Sequence, residues 1–535
     1  MAAGNLSLVS VAYMTGGRSH RVRRIALVVV LLVVAAAVGG VALYASTSED
    51  PGGTAAAGAG ATPLPSNSAA SNSVASNVAT SKTATPAATA RPAAPSAPPA
   101  LWQQTPAAAT SVMLPVPLSA VNDPTTAGLT ATLTPLLADH AFAGDTVAML
   151  VTDAATGRVL FSHDAATAVP PASTAKLAVA VAALQVLGPD AQLTTRVVQT
   201  AASQVVLVGG GDPTLAGPAA VGPVSPGYPT PASLTALAAQ TAAALLARQT
   251  ATVTLGYDAS LFAGPTLAPG WKPIYQTEGD VAPVSALEVD EGHPNPTRLA
   301  TAADPGAAAA AEFAALLASD GVTVTGAPTA VHVASLQGGN PRPTLSSVAS
   351  PPMSELVQRM LGRSDNDLAE ALSRQVAIAT GYPATFAGGV AAVKAAIAAD
   401  GVDPTGLATV DASGLSPLDR VMPATLVALL RLAIMPGHSQ LASILSGLPV
   451  AGFYGTLSGR FGGVAAAGAG LIRAKTGTLD GVAALAGYLQ DTSGATLVFT
   501  TIATGVAKTA TAVTEAALDR LTASLPQCGC RTVGP

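Results

Sequence analysis

Long apolar runs with helix or strand period alternate along the chain with stretches that have neither. Residues 25–45 (IALVVVLLVVAAAVGGVALYA) carry no charge and as a helix would extend about 31 Å, enough to span a bilayer. Residues 46–125 mix Ala, Ser, Thr, Pro and Gly without period, so they offer no face to bury and predict a disordered tether. Periodic order starts near Leu129 with a helical stretch, LTATLTPLLADHAF, followed by TVAMLVTDAATGRVLFSHD, which predicts a strand turning at Thr156-Gly157 as a hairpin does. Leu177, Val181 and Leu184 recur at three- and four-residue spacing and the run stops at Gly188-Pro189, predicting a helix that Ser173 opens. From about 190 to 345, short strands (TTRVVQ, QVVLVG, ATVTLGYD, VTVTG) and two alanine-rich helices predict an inserted mixed α/β domain. Helical period returns in MSELVQRML, and GLIRAKTGTLDGVAALAGYLQD with ATLVFTTIATG predicts a strand pair ahead of a last helix near 510–524.

Composition narrows this picture. An apolar fraction of 49% against 10% charged residues in 535 supports large cores. A formal charge of −5 gives no basic field for nucleic acid. Arg18, Arg21, Arg23 and Arg24 precede the apolar run and Glu49 and Asp50 follow it. The expected topology is therefore a single-pass anchor at 25–45, with 1–24 cytoplasmic and the bulk of the chain outside the cell membrane. Ser46-Thr47-Ser48 offers a competing cleavage site, although the run exceeds the roughly 7 to 15 apolar residues of a signal peptide. Cys528 and Cys530 are the two cysteines, and oxidising surroundings favour a local disulfide between them over a metal site. The six histidines are scattered without ligand spacing, so no metal and no cofactor are expected.

Candidate chemistry gathers around three short strings. Of only six lysines, Lys176 follows Ser173 by three residues in PASTAKL, which puts amine and hydroxyl on one helix face. A buried lysine beside a helix N-terminus and a second cation loses affinity for its proton and can serve as a general base, making Ser173 a nucleophile. An isolated SxxK would more simply be a cap and a solvated lysine. Here Ser364-Asp365-Asn366 and Lys475-Thr476-Gly477-Thr478 follow in order, completing the SxxK, SDN, KTG signature of penicillin-binding proteins and serine β-lactamases. Lys475, expected on an edge strand, would supply a fixed positive charge for a substrate carboxylate, with Thr476 as a second donor. Gly477 would let substrate backbone lie against the strand. The amides of Ser173 and Thr478 would form an oxyanion hole. Ser364 would relay a proton and Asn366 hold a substrate carbonyl, while Asp365 ties its loop.

Beyond the triplet, the chain resembles the D-alanyl-D-alanine carboxypeptidase/endopeptidase family, the class C low-molecular-mass penicillin-binding proteins. PASTAKL, VLVGGGDPTL (206–215), APVSALEVD (282–290), SDNDLAE (364–370), DASGLSPLDRV (411–421), LPVAGFYGTLSGRF (448–461) and AKTGTLDGVAALAGYL (474–489) carry that resemblance. It implies an α/β (α+β) fold of the β-lactamase/transpeptidase type, an antiparallel sheet flanked by helices beside a helical lobe. The catalytic domain would comprise 126–189 and 346–535, with 190–345 inserted. It also implies peptidoglycan stem peptides and β-lactams as the molecules bound, through an acyl-serine. A serine β-lactamase, a transpeptidase and a non-catalytic wall-binding protein are the alternatives. GGGDPTL lacks the ending of a phosphate loop and reads as a turn. Trp271 reads as a core anchor, and residues 411–415 as either a rim of the site or a plain turn. The string EGHPN at 291–295 precedes SDN instead of following it and is discounted.

Overall fold

The computed structural model describes residues 124–218, 229–293, 299–335 and 343–527. The expected anchor at 25–45, the tether as far as residue 123, and Cys528 and Cys530 lie outside the described residues. Among the described residues no helix is long and apolar enough to cross a membrane.

In chain order the main elements are α1 (Thr126–Leu137), β1 (Thr146–Asp153), β2 (Val159–His163), α2 (Lys176–Val186), β3 (Thr194–Ala201), β4 (Gln204–Val208), α3 (Leu234–Leu246), β5 (Thr252–Asp258) and α4 (Pro305–Ser319). Then come β6 (Thr344–Ala349), α5 (Met353–Arg363), α6 (Asn366–Ala379), α7 (Phe386–Ala399), α8 (Pro423–Ile434), β7 (Ile472–Leu479), β8 (Val482–Gln490), β9 (Thr496–Thr504) and α9 (Thr511–Ala523).

The first sheet is antiparallel throughout, in the order β7-β8-β9-β1-β2. Its alternation separates two cores: Val482, Ala484 and Ala486 of β8 face the helical side with Val498 and Ile502, while Ala483, Leu485 and Leu489 face the layer of α1 and α9. Helix α2 is the centre of the helical side, buried at every position from Lys176 to Leu184. A helix apolar all round has no solvent face to present, and α2 duly packs against α5, α6, α7 and α8. The anticipated strand pair at the C-terminus is in fact three strands. Asp480-Gly481, with Gly481 at φ +85°, closes a two-residue hairpin in which Leu479 faces Val482, the Asp-Gly turn that suits strand twist.

The second sheet is mixed and runs β5-β4-β3-β6, with β4 and β5 parallel and two-residue strands beside β5. Helices α3 and α4 cover it around Phe313, Leu237 and Leu255. Between β5 and α4 the chain returns to the helical side. There the Trp271 ring meets Phe386 of α7 edge-on, with centroids 5.4 Å apart, and the Ala282 N–H donates to Asp367 Oδ1 of α6 at 2.8 Å.

Candidate active site

Ser173 lies in a 3-10 turn, Ala172–Ala175, that runs directly into α2. Ala172 has φ +46°, a left-handed conformation that costs a non-glycine residue about 1–2 kcal/mol, so the turn must be held by its neighbours. Two glycines hold it. A Cβ on Gly414 would stand 2.0 Å from the Ala172 carbonyl oxygen, and one on Gly477 would stand 2.7 Å from the Pro171 carbonyl oxygen. Gly477 thus makes room for the nucleophile's own turn, which corrects the expectation that it clears space for substrate.

Lys176 is fully buried and its Nζ donates to Ser173 Oγ at 3.1 Å, Asn366 Oδ1 at 2.6 Å and the Ser413 carbonyl at 2.7 Å. Burial pulls its pKa down to about 8, against the opposing attraction of Asp411, Glu370, Asp365 and Asp367. Lys475, equally buried on edge strand β7, donates to Ser364 Oγ and to the Thr476 carbonyl, both at 2.9 Å. Burial and repulsion from Lys176 lower its pKa well below the usual lysine value.

Donor counts agree with this asymmetry. An ammonium has three N–H donors and a neutral amine two with a lone pair; Lys176 meets three acceptors and Lys475 two.

Ser364 ends α5 in the left-handed region at φ +60°, and Asp365 caps α6 by accepting from the Leu368 N–H at 2.9 Å. Asp365 also meets Arg359 Nε at 3.0 Å, so it ties the loop. Asn366 is the first residue of α6; its Oδ1 accepts from Lys176 while its Nδ2 donates to the Asp280 carbonyl at 2.7 Å. One amide N–H is thereby used, and the expected hold on a substrate carbonyl would fall to the other. Ser364, expected to relay a proton between Lys176 and the leaving amine, accepts from Lys475 Nζ instead.

On β7, the Ala474 N–H and the Ile472 carbonyl bond outward to residues 449 and 451. Period two then turns the N–H of Thr478 to the same outer edge, as an oxyanion hole requires. The hydroxyls of Thr476 and Thr478 are engaged elsewhere, with Thr456 Oγ1 at 2.7 Å and Glu515 Oε1 at 2.7 Å. Thr476 can still donate beside Lys475 where Thr456 is the donor of the bond between them.

Sequence reasoning missed the support behind these groups. Glu370 lies one turn beyond Asn366 on α6 and is fully buried. Its Oε1 accepts the N–H groups of Ala412 and Ser413 at 2.9 and 2.8 Å, and Oε2 meets Arg374 at 3.3 Å. Glu370 therefore fixes the loop whose carbonyl holds Lys176. Asp411 in that loop accepts from Trp271 Nε1 at 2.7 Å and from the Gly414 and Ser416 amides, so residues 411–415 are part of the site and Trp271 is an anchor. The i, i+4 spacing of Asn366 and Glu370 was a visible signal; the carbonyls of Ser413 and Asp280 gave none.

Among curated proteins, the chain is 37% identical over 446 residues to carboxypeptidase DacB of Mycolicibacterium smegmatis, an alignment covering 82% of this chain and 91% of the relative. It is 30% identical over 441 residues to a D-alanyl-D-alanine carboxypeptidase of Actinomadura sp., covering 67% and 78%. Among solved structures, penicillin-binding protein 4 (dacB) of Haemophilus influenzae shares the fold, with a TM-score of 0.59 at 22% identity over 75% of this chain and 99% of that one. The model of the D-Ala-D-Ala carboxypeptidase 3 (S13) family matches residues 129–303 and 293–525, and with relatives aligned over most of its length, the chain belongs to that family.

Proposed function

We propose that this D-Ala-D-Ala carboxypeptidase works through an acyl ester on Ser173, with Lys176 as its base and Lys475 as the receptor for the substrate's terminal carboxylate. The observation that carries this reading is the 3.1 Å bond between Lys176 Nζ and Ser173 Oγ inside a fully buried site.

In this reading the two lysines share one proton in the resting site. A substrate carboxylate arriving at Lys475 favours the charged amine there. Its repulsion then drives the proton off Lys176, whose partners Asn366 and Ser413 keep two donors occupied. The lone pair so exposed accepts the Ser173 O–H. The Oγ attacks the carbonyl of the D-Ala-D-Ala bond as its proton passes to Lys176, and charge on the carbonyl oxygen is met by the N–H groups of Ser173 and Thr478. The C–N bond breaks as a proton is returned to the leaving D-alanine nitrogen, with Ser364 as the relay. Water releases the acyl group by the same steps in reverse.

Cross-linked peptides present the same bond beside a carboxylate, so endopeptidase cleavage belongs to this reading. Penicillins, strained amides with a carboxylate, would acylate the same oxygen; penicillin-binding protein 4 of Haemophilus influenzae has been crystallised with a β-lactam. Residues 25–45 would anchor the enzyme with its catalytic part on the wall side, and a tether of about 80 residues would average roughly 50 Å end to end.

The test is D-alanine release from a stem pentapeptide, together with intact mass after benzylpenicillin. The wild type is expected to release D-alanine and gain one penicilloyl group. Ser173→Ala is expected to gain none and to lose about 10⁴-fold or more of its turnover. Turnover that survives in Ser173→Ala would refute the assignment.

A further inference from the structure

Behind the SDN turn, carboxylates from three distant segments converge. Oxygens of Glu291, Asp365 and Asp367 lie within 4.8 Å of one another. Glu288 and Asp212, each only 3% exposed, are outside that trio; Glu288 Oε1 stands 3.0 Å from where a Cβ on Gly292, the neighbour of Glu291, would lie, and Asp212 feels the charges of Arg359 and Asp365. Arg359 is bonded to Glu291 and to Asp365, while Arg363 acts on Asp365 and Lys176 on Asp365 and Asp367. Three cations against five carboxylates still leave more buried acid than base, which proteins rarely hold without a partner.

The polar contacts leave specific atoms over. Asp365 spends Oδ1 on its helix cap and Oδ2 on Arg359, Asp367 Oδ1 accepts from Ala282, Glu291 Oε1 from Arg359, and Asp212 Oδ1 from the amide and hydroxyl of Thr214. Glu288 Oε1 and Asp212 Oδ2 are buried and meet no donor. The backbone there is also unusual, since Asp290 and Glu291 are consecutive non-glycine residues in the left-handed region, at φ +51° and +55°. Such conformations cost on the order of 1–3 kcal/mol each, and here they turn Glu291 toward Arg359.

We infer that Glu291, Asp365 and Asp367, with the unpartnered Glu288 beside them, form a binding site for a hard divalent cation, calcium by fit. All-oxygen donors select calcium, magnesium or manganese over zinc or copper. Oxygens within 4.8 Å of one another accommodate the ligand distances of calcium, about 2.3–2.6 Å, and magnesium is the competitor that the titration below separates from it. The cation would clamp the 280–291 segment to the first turn of α6, the turn that presents Asn366 to Lys176. Histidine and cysteine spacing, on which the expectation of no metal rested, is blind to a site built only from carboxylates.

This inference does not depend on the reaction proposed above, and its test reads binding directly. The full chain, freed of metal by a chelator, is titrated with CaCl2 in a calorimeter, with MgCl2 in parallel. One Ca²⁺ per chain is expected, with a Kd of about 1 mM or tighter, the range of extracellular calcium modules. Glu288→Gln is expected to weaken it about tenfold or more. Glu291→Gln, at the more accessible edge of the cluster, should weaken it too and serves if the Glu288 variant does not fold. Absence of Ca²⁺ binding by the wild type, or binding unchanged in the folded variants, would overturn the inference.

Discussion

Lys176 and Lys475 are equally buried, yet the chain surrounds them in opposite ways. Burial lowers the pKa of Lys176 to about 8, with four carboxylates opposing the shift. Lys475 has none acting on it, and burial and repulsion from Lys176 both push its pKa down. Burial alone would treat them alike; what differs is the nearby charge. The lesson is that a substrate carboxylate can supply at Lys475 what the four side chains supply at Lys176, which is the basis of the proton sharing proposed above.

Three substitutions break that comparison in decreasing degree. Lys176→Ala removes the base and should slow acylation by penicillin about 10²- to 10⁴-fold, read by stopped-flow fluorescence with a labelled penicillin. Lys475→Ala should cost about 10²-fold. The loss should vanish when the penicillin is supplied as its methyl ester, because neither enzyme then has a carboxylate to receive. An ester that distinguishes wild type from the Lys475 variant would assign that lysine another role. Glu370→Gln keeps one oxygen for the Ala412 and Ser413 amides but gives up the charge facing Arg374. It should lower stability by about 1–3 kcal/mol, seen in a denaturant melt, with a smaller effect on acylation than either lysine variant.

Local spacing made the three motifs and most elements legible. A serine and a lysine three apart on a helix, an Asn at a helix start and a lysine on an apolar strand each declare themselves within a few residues. Hydrophobic period likewise foretold α2, the alanine-rich helices and the final helix. What stayed hidden depends on backbone atoms or on distant segments. The continuous apolar run around Asp480-Gly481 concealed a hairpin because both strands are buried. Gly477 was assigned to substrate because nothing in the sequence places Pro171 beneath it. GGGDPTL, which holds Asp212, reads as a plain turn, and nothing local marks Glu288, since their burial near α6 is a property of the inserted segment folding back.

The shared proton is tested most directly by the second-order rate constant for acylation by benzylpenicillin between pH 5 and 10. The reactive form and the resting form carry the same total charge on the lysine pair, so the rate follows the one-proton state of the pair. It is predicted to hold level near neutrality and to fall as pH rises through about 8, where Lys176 empties. A rate that instead climbs through pH 8 would show Lys176 losing its proton independently beside a permanently charged Lys475, and would contradict the account.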